Sequence, residues 1–272
     1  MNTIEHIPYL RNGKKWYFLS IFYSREKWSE LIADIKHFYE ERQSIFDAYL
    51  ISFSNEQGEH LQVTFVTMES DNNNHSDGIQ MYFQSYLSKN PSVGNQSFHY
   101  GKVIWCNYPN NSLAWDRFKL PYYSDKYIHF HQKTMEVIIK LLDGNFSRGS
   151  FFSVGVYLII KGLFCIDYSE QKNFASQILN EIPNEFKDNT NFKEMINRFD
   201  FNKISNSIES YRNESENDYS QELINWLNEM NELLKVHKYK LQYFLICKIL
   251  GLNGSYQIVI LLFLDLWYDR KC

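Results

Sequence analysis

The spacing of the apolar residues changes partway along the chain, and this change constrains the fold more than any other feature. Up to Phe65 they occur in short runs typical of β-strands, with one helical stretch inserted, whereas beyond Lys133 they recur at helical spacing. Strands and helices in separate stretches are typical of an α+β fold. We therefore predict an N-terminal mixed or antiparallel sheet with packed helices, followed by a helical C-terminal half.

The opening of the chain predicts the order β-α-β-β. Residues 15–22 are apolar on both faces, as in an inner strand, and residues 28–42 carry an amphipathic helical pattern. Strands are predicted over 46–53 and 61–65, joined by the turn signal Asn-Glu-Gln-Gly at 55–58. The last two strands should therefore form a hairpin.

Beyond this hairpin, the pattern predicts a helix over 79–87, a strand over 97–106 and a loop over 107–113, while 122–131 is aromatic without a clear period. Six further helices are predicted, at 135–142, 151–166, 169–182, 221–234, 240–250 and 255–268. The polar stretch 184–217 indicates a long loop or an irregular helix pair. No linker divides the chain, so we predict one domain over 1–272.

Composition and charge exclude several classes of protein. The 272 residues contain 28 Lys and Arg against 32 Asp and Glu, so no basic footprint for direct nucleic-acid binding is expected. The apolar runs 151–166 and 258–268 carry Lys161 and Asp265 and are shorter than the about 20 apolar residues of a membrane span. The first twelve residues show no signal peptide. We expect a cytoplasmic protein without a membrane segment.

Neither a metal nor a cofactor is expected. The four cysteines form no CxxC pair, and Cys165 and Cys247 lie in apolar runs typical of reduced core residues. Glycine-rich nucleotide loops, HExxH and GxSxG are absent from the sequence. His129 and His131 could ligate a metal from one strand face, but no third ligand is spaced to join them.

The predicted strand 61–65 has one polar face. His60, Gln62 and Thr64 alternate with apolar residues, so they share this face. Two interpretations stay open: the three side chains line a cleft, or they face water as one side of many antiparallel strands does.

Several segments, in their order along the chain, resemble the C-terminal domain family of lantibiotic dehydratases, also called the thiopeptide-type bacteriocin biosynthesis family. An aromatic strand led by Trp16 and a long helix precede residues 58–65, Gly-Glu-His-Leu-Gln-Val-Thr-Phe, which are similar to the family's G-x-H-L-x-x-x-F strand. Phe130-His131 and residues 133–138 are similar to its F-x-x-D-S-x-x-V-L helix. Residues 241–251 and the helix 255–268 are similar to its closing S-x-x-H-x-x-x-N-R-x-x-G-I segment. The resemblance spans nearly the whole chain.

The resemblance implies a role in the biosynthesis of a ribosomally made, post-translationally modified peptide. In that family a separate glutamylating domain or subunit esterifies Ser or Thr of a precursor peptide with glutamate. The elimination domain then removes glutamate to leave a dehydroamino acid. The expected partners are therefore the precursor peptide and a glutamylating dehydratase subunit, and no cofactor is needed for the elimination.

The resemblance also implies the site residues His60, Gln62, Thr64, Tyr243 and Lys248. Gln62 and Thr64 occupy the positions of the family's strand arginines, Tyr243 that of its histidine, and Cys247-Lys248 that of its Asn-Arg pair. Gln and Thr donate hydrogen bonds but lack the cationic fork of Arg, and the ordinary pKa of Tyr is about 10. Three functions therefore stay open: glutamate elimination, the cycloaddition that makes the pyridine core of thiopeptides, and a non-catalytic peptide-binding or partner-supporting subunit.

Overall fold

The computed structural model describes residues 8–69, 71, 73–94, 108–115, 125–181, 200–252 and 254–270. These residues form two compact units. The sheet unit takes in the described residues up to Met135 together with Asp143–Ser147, and the helical unit takes in Glu136–Leu142 and the described residues from Arg148 on. The single domain expected over 1–272 stays a prediction.

Five strands form one antiparallel sheet in the described part of the sheet unit. They are β1 (Tyr9–Arg11), β2 (Lys14–Phe22), β3 (Phe46–Ser54), β4 (His60–Thr67) and β5 (Ser112–Trp115). The order is β1-β2-β4-β3, and β5 pairs with β2 beyond the end of β1. The predicted β3-β4 hairpin is confirmed, with Gln57 and Gly58 of its turn at φ 60° and 119°.

One face of the sheet is aromatic and is covered by two helices, α1 (Trp28–Glu40) and α2 (Ser76–Lys89). The ring centroid of Phe38 on α1 lies 5.1 Å from that of Phe65 on β4 and 5.3 Å from that of Phe83 on α2. Trp28 packs on Phe53 at 5.6 Å, and its Nε1–H donates to the carbonyl of Tyr23 at 2.9 Å. The polar side chains predicted on β4 lie on the opposite face.

Helix α3 (Asp125–Leu142) begins well before the helix predicted at 135–142. Ile128 of its first part packs on the opposite sheet face with Trp16, Phe18, Leu50 and Val66. Tyr127, Ile128, Phe130 and His131 are buried and lie on one broad face of the helix, while His129 is exposed; because this face includes the polar His131, the apolar period of 122–131 was not clear. Residues 125–135 belong to the sheet unit and the rest of α3 to the helical unit.

The helical unit contains six further described helices. They are α4 (Arg148–Leu163), α5 (Tyr168–Glu181), α6 (Phe201–Asn213), α7 (Gln221–Leu234), α8 (Tyr239–Ile249) and α9 (Gly254–Arg270). Close packing depends on Gly162 of α4, where an added Cβ would lie 2.9 Å from both Met230 Cε and Tyr239 Cε2. The fold class is thus α+β, with an antiparallel sheet in the first half and helices in the second.

Some predicted elements need correction. The stretch 184–217 contains the regular helix α6, which begins after Asp200, whose carboxylate accepts from the N–H groups of Asn202 and Lys203. The loop predicted over 107–113 ends in β5, and the sequence pattern did not reveal β1. The strand predicted over 97–106 lies outside the described residues. In the parts of the chain that the structure describes, every helix is too short or too polar to cross a membrane.

Candidate functional site

The sheet face opposite the aromatic one carries a group of polar side chains on its three longest strands. The strand register places Gln62 of β4 directly between Ser20 of β2 and Ser52 of β3. His60 of β4 lies beside Ser54 in the same way, and Thr64 follows one step along β4. We call Ser20, Ser52, Ser54, His60, Gln62 and Thr64 the polar layer. The structure thus brings three of the five predicted site residues together.

The polar layer is buried. His60 is 0% exposed, Thr64 4% and Ser52 2%, while Gln62 is half-buried. The interpretation in which this face simply meets water is therefore wrong. Burying hydroxyl, amide and imidazole groups costs free energy unless each group has a hydrogen-bond partner.

His60 is held in one tautomer by the hairpin turn. Its Nδ1 lies 2.9 Å from the carbonyl oxygen of Gly58 and must carry the proton, because a carbonyl only accepts. Nε2 therefore carries the lone pair. Burial lowers the pKa of His60 to about 4, partly offset by the bond to Gly58. At neutral pH His60 is an uncharged imidazole that can accept a proton or a hydrogen bond at Nε2.

A second histidine, His131 of α3, reaches the polar layer from above the edge strand β3. Its Nε2 donates to the carbonyl of Ile51 at 3.0 Å and lies 3.4 Å from Ser52 Oγ. His131 is buried but His129 is exposed, since positions two apart on a helix point in different directions. The shared strand face considered for a metal pair does not exist. No cluster of three or more metal-ligating side chains occurs among the described residues.

The described strand positions around the polar layer carry no Lys, Arg, Asp or Glu. This holds from Phe18 to Phe22 on this face of β2 and for the register partners on β3, β4 and β5. Lys15 of β2 and Arg25 lie equally far from Ser20 along the chain. Arg25 forms an ion pair with Glu59 at 3.0 Å, and Lys15 Nζ donates to the carbonyl of Asn73 at 2.8 Å. The layer can accept and donate hydrogen bonds, and His60 can take a proton, but the described strands add no fixed charge to it.

The other two predicted site residues lie on α8 of the helical unit. Tyr243 is fully buried, and its hydroxyl donates to the carbonyl of Gln257 at 2.9 Å. Burial raises the pKa of Tyr243 well above its usual range, so its hydroxyl stays protonated. Lys248 is half-buried and lies five positions further along the helix. Catalytic roles for Tyr243 and Lys248 stay predictions.

The two cysteines in the described residues are both free, as predicted, but only one belongs to the core. Cys247 is fully buried, and desolvation raises the pKa of its thiol to about 12. Cys165 is half-buried and lines a pocket of the helical unit.

Sequence reasoning missed the serines of the polar layer and the contact of His131 with Ser52. The alternation of Ser20 with apolar neighbours on β2, and of Ser52 and Ser54 on β3, was a usable signal. Its meaning depended on the strand register, which a single sequence does not give.

No protein-family model matches this chain. No curated protein matches it either. Among solved structures, the chain is similar to one described as "Pyridine synthase, TbtD, from thiomuracin biosynthesis", at 14% sequence identity and a TM-score of 0.56. The match covers 93% of this chain and 96% of that chain. At this identity the likeness shows a shared fold, which is the fold of a thiopeptide-biosynthesis enzyme.

Proposed function

We propose that this protein modifies a ribosomally made precursor peptide in a thiopeptide- or lantibiotic-type pathway. The observation that carries the proposal is the polar layer, a buried set of hydroxyl, amide and imidazole groups on the sheet of a fold shared with a pyridine synthase. The resemblance of several segments to the C-terminal domain family of lantibiotic dehydratases also supports it. The substrate would be a peptide whose Ser or Thr residues have been activated or dehydrated.

The first form of this proposal is glutamate elimination. A base removes the α-proton of a glutamylated Ser or Thr, the electron pair forms the Cα=Cβ double bond, and the Cβ–O bond breaks to release glutamate. Neutral His60 would take the proton at Nε2, because Nδ1 is already bound to Gly58. Gln62 and Thr64 would hydrogen-bond the leaving carboxylate, with Tyr243 and Lys248 as further predicted site residues. A separate subunit would supply the glutamylated peptide.

The second form is cycloaddition between two dehydroamino acids. One observation favours it: the described strand positions around the polar layer carry no cationic side chain. Holding the two carboxylates of a leaving glutamate is best done by cations. A cycloaddition instead needs a shaped site with hydrogen-bond donors for uncharged amides, and a neutral layer suits that requirement.

The experiment uses the full chain and two synthetic versions of the precursor peptide encoded beside its gene. One version carries glutamylated Ser, and the other carries two dehydroalanines at the predicted modification positions. Mass spectrometry detects loss of glutamate from the first. Cycloaddition alone leaves the mass of the second unchanged, and aromatisation to a pyridine lowers it through loss of at least water. Both remove the dehydroalanines, so the product no longer adds β-mercaptoethanol. Either result supports peptide modification and identifies its form.

Retention of the unmodified peptide without any reaction would contradict the enzymatic proposal and favour a peptide-binding subunit.

A matched pair of variants tests whether the polar layer is the site of the reaction. Thr64→Val removes a hydroxyl from the polar layer, whereas Thr67→Val makes the same change on β4 on the aromatic face, where Thr67 Oγ1 accepts from the N–H of Lys15. We expect Thr64→Val to lower turnover about tenfold or more and Thr67→Val to leave it unchanged. Equal turnover in both variants would remove the polar layer from the mechanism.

A further inference from the structure

The helical unit contains a pocket of its own, with a volume of about 850 Å³. This value lies in the upper part of the about 300–1,000 Å³ range typical of ligand sites. Lys161 and Cys165 at the end of α4 lie against it, Gln171 comes from α5, and a face of α7 forms a wall. None of the residues predicted as site residues lines it.

One wall of the pocket is the segment 211–219, which we call the strap. Lys161 is 4% exposed and binds the strap at three points, because its Nζ contacts the carbonyl of Tyr211 at 2.6 Å, the hydroxyl of Tyr219 at 2.6 Å and Glu214 Oε2 at 2.8 Å. Tyr157 also donates to Glu214, at 3.0 Å. A single buried cation thus fastens the strap to α4 and preforms the pocket.

The face that α7 turns to the pocket differs from its core face. Leu223, Trp226, Met230 and Leu233 are buried in the core. The pocket is lined instead by Ile224, Leu227, Asn228 and Asn231, spaced as neighbours on one helix face. Ile224 and Leu227 are half-buried, and Asn228 and Asn231 are exposed. The helix therefore presents apolar side chains to the interior of the pocket and amide groups at its rim.

The chemistry of the lining points to one class of ligand. Phe164, Tyr168, Tyr211 and Tyr219 supply aromatic surface. Asn and Gln side chains carry a donor and an acceptor side by side, as a peptide group does. Tyr and Asn are enriched in the binding loops of antibodies, where Tyr gives a large rigid contact area and Asn gives adaptable hydrogen bonds.

The charges of the pocket argue against a phosphate or another polyanion. Lys161 is paired with Glu214, and the exposed rim carries one charge of each sign, Arg212 and Glu216. We propose that this pocket is a binding site for a peptide segment of low net charge that contains aromatic and amide side chains. The proposal stands on the pocket alone and does not depend on the reaction carried out at the polar layer.

The test is a selection of a random dodecapeptide library displayed on phage against the immobilised full chain. Peptides that enrich are synthesised with a fluorescent label, and their affinity is measured by anisotropy. The variant Asn228→Ala/Asn231→Ala removes two rim amides from the pocket. The matched control, Asn206→Ala/Asn225→Ala, removes two amides that do not line it.

We expect the affinity of the selected peptides to fall about tenfold in the pocket variant, the effect of losing two ordinary hydrogen bonds, and to be unchanged in the control. Bound peptide should also slow alkylation of Cys165 by N-ethylmaleimide, followed at that residue by peptide mapping. The proposal is overturned if no peptide enriches, if both double variants bind equally, or if saturating peptide leaves Cys165 equally reactive.

Discussion

The polar layer of the sheet unit and a second buried polar group in the helical unit differ in charge. We call this second group, Lys161 with Tyr211, Glu214 and Tyr219, the Lys161 cluster. In the polar layer the hydroxyls of Ser20, Ser52 and Thr64 are neutral, and so is His60 at neutral pH because burial lowers its pKa to about 4. In the helical unit a cation, Lys161, is buried with its counter-ion Glu214. The polar layer avoids the cost of a buried charge, whereas the Lys161 cluster offsets that cost by pairing.

The two buried groups also differ in the bonds that they make. All three protons of Lys161 are directed at oxygens of the strap, so this cation is committed to holding the pocket wall. His60 uses one nitrogen for its bond to Gly58 and keeps its lone pair on the other.

The largest expected effect tests the neutrality of His60. An ordinary His takes up a proton near pH 6.5, but burial holds the pKa of His60 at about 4, so the unfolded chain binds this proton first as the pH falls. Stability is therefore full above pH 6.5 and declines between pH 6.5 and about 4, by about 3 kcal/mol at most. Urea unfolding at a series of pH values measures this decline.

The control for His60 is His60→Gln, which keeps a polar side chain but cannot titrate. Its stability should vary much less over the same pH range. Carboxylates with lowered pKa values, such as Asp71, lose their contribution below the window of His60, so the two effects are separable. The same pH slope in both proteins would show that His60 is not a buried neutral group.

The next effect tests the pairing in the Lys161 cluster. Glu214→Gln leaves the buried ammonium without a counter-charge, and we expect a loss of about 2 kcal/mol of stability. The side chain of Glu214 is 31% exposed, which keeps the loss below that of a fully buried pair. The matched control is Glu216→Gln, an exposed position on the same strap, expected to change stability by less than about 0.5 kcal/mol. Equal denaturant midpoints for the two variants would contradict the pairing.

The smallest effect concerns Ser52 in the polar layer. Ser52→Ala removes a hydroxyl that lies 3.4 Å from His131 Nε2, while His131 keeps its bond to Ile51 at 3.0 Å. We expect a loss of about 0.5–1 kcal/mol, as for one neutral hydrogen bond. Ser88→Ala, at an exposed position of α2, should cost less. A loss of stability above about 2 kcal/mol for Ser52→Ala would mean that its hydroxyl also forms a hydrogen bond with a group other than His131.

Much of the fold was readable from local patterns. The apolar strand at 15–22 corresponds to β2, the amphipathic stretch at 28–42 to α1, and the helix predicted at 221–234 to α7. The residues that follow clear periods were predicted well because one face of each element is buried. The start of α3 was missed since its buried face includes the polar residue His131, and β5 was missed because four residues carry too little pattern.

The candidate site was predicted only in part. Alternation along β4 was enough to place His60, Gln62 and Thr64 on one face. Alternation did not show whether that face is exposed to solvent or buried. The serines that complete the polar layer come from β2 and β3, which are separate segments of the sequence. Their roles in catalysis, with those of Tyr243 and Lys248, stay predictions.

Periodicity within single elements was enough to predict the fold class, the order of β2, α1, β3 and β4, and the polar side of β4. The neutral state of His60, the full pairing of Lys161 and the pocket beside α7 became visible only in the folded chain. Each of these depends on what surrounds a side chain, and burial and pairing are set by residues that are distant along the chain.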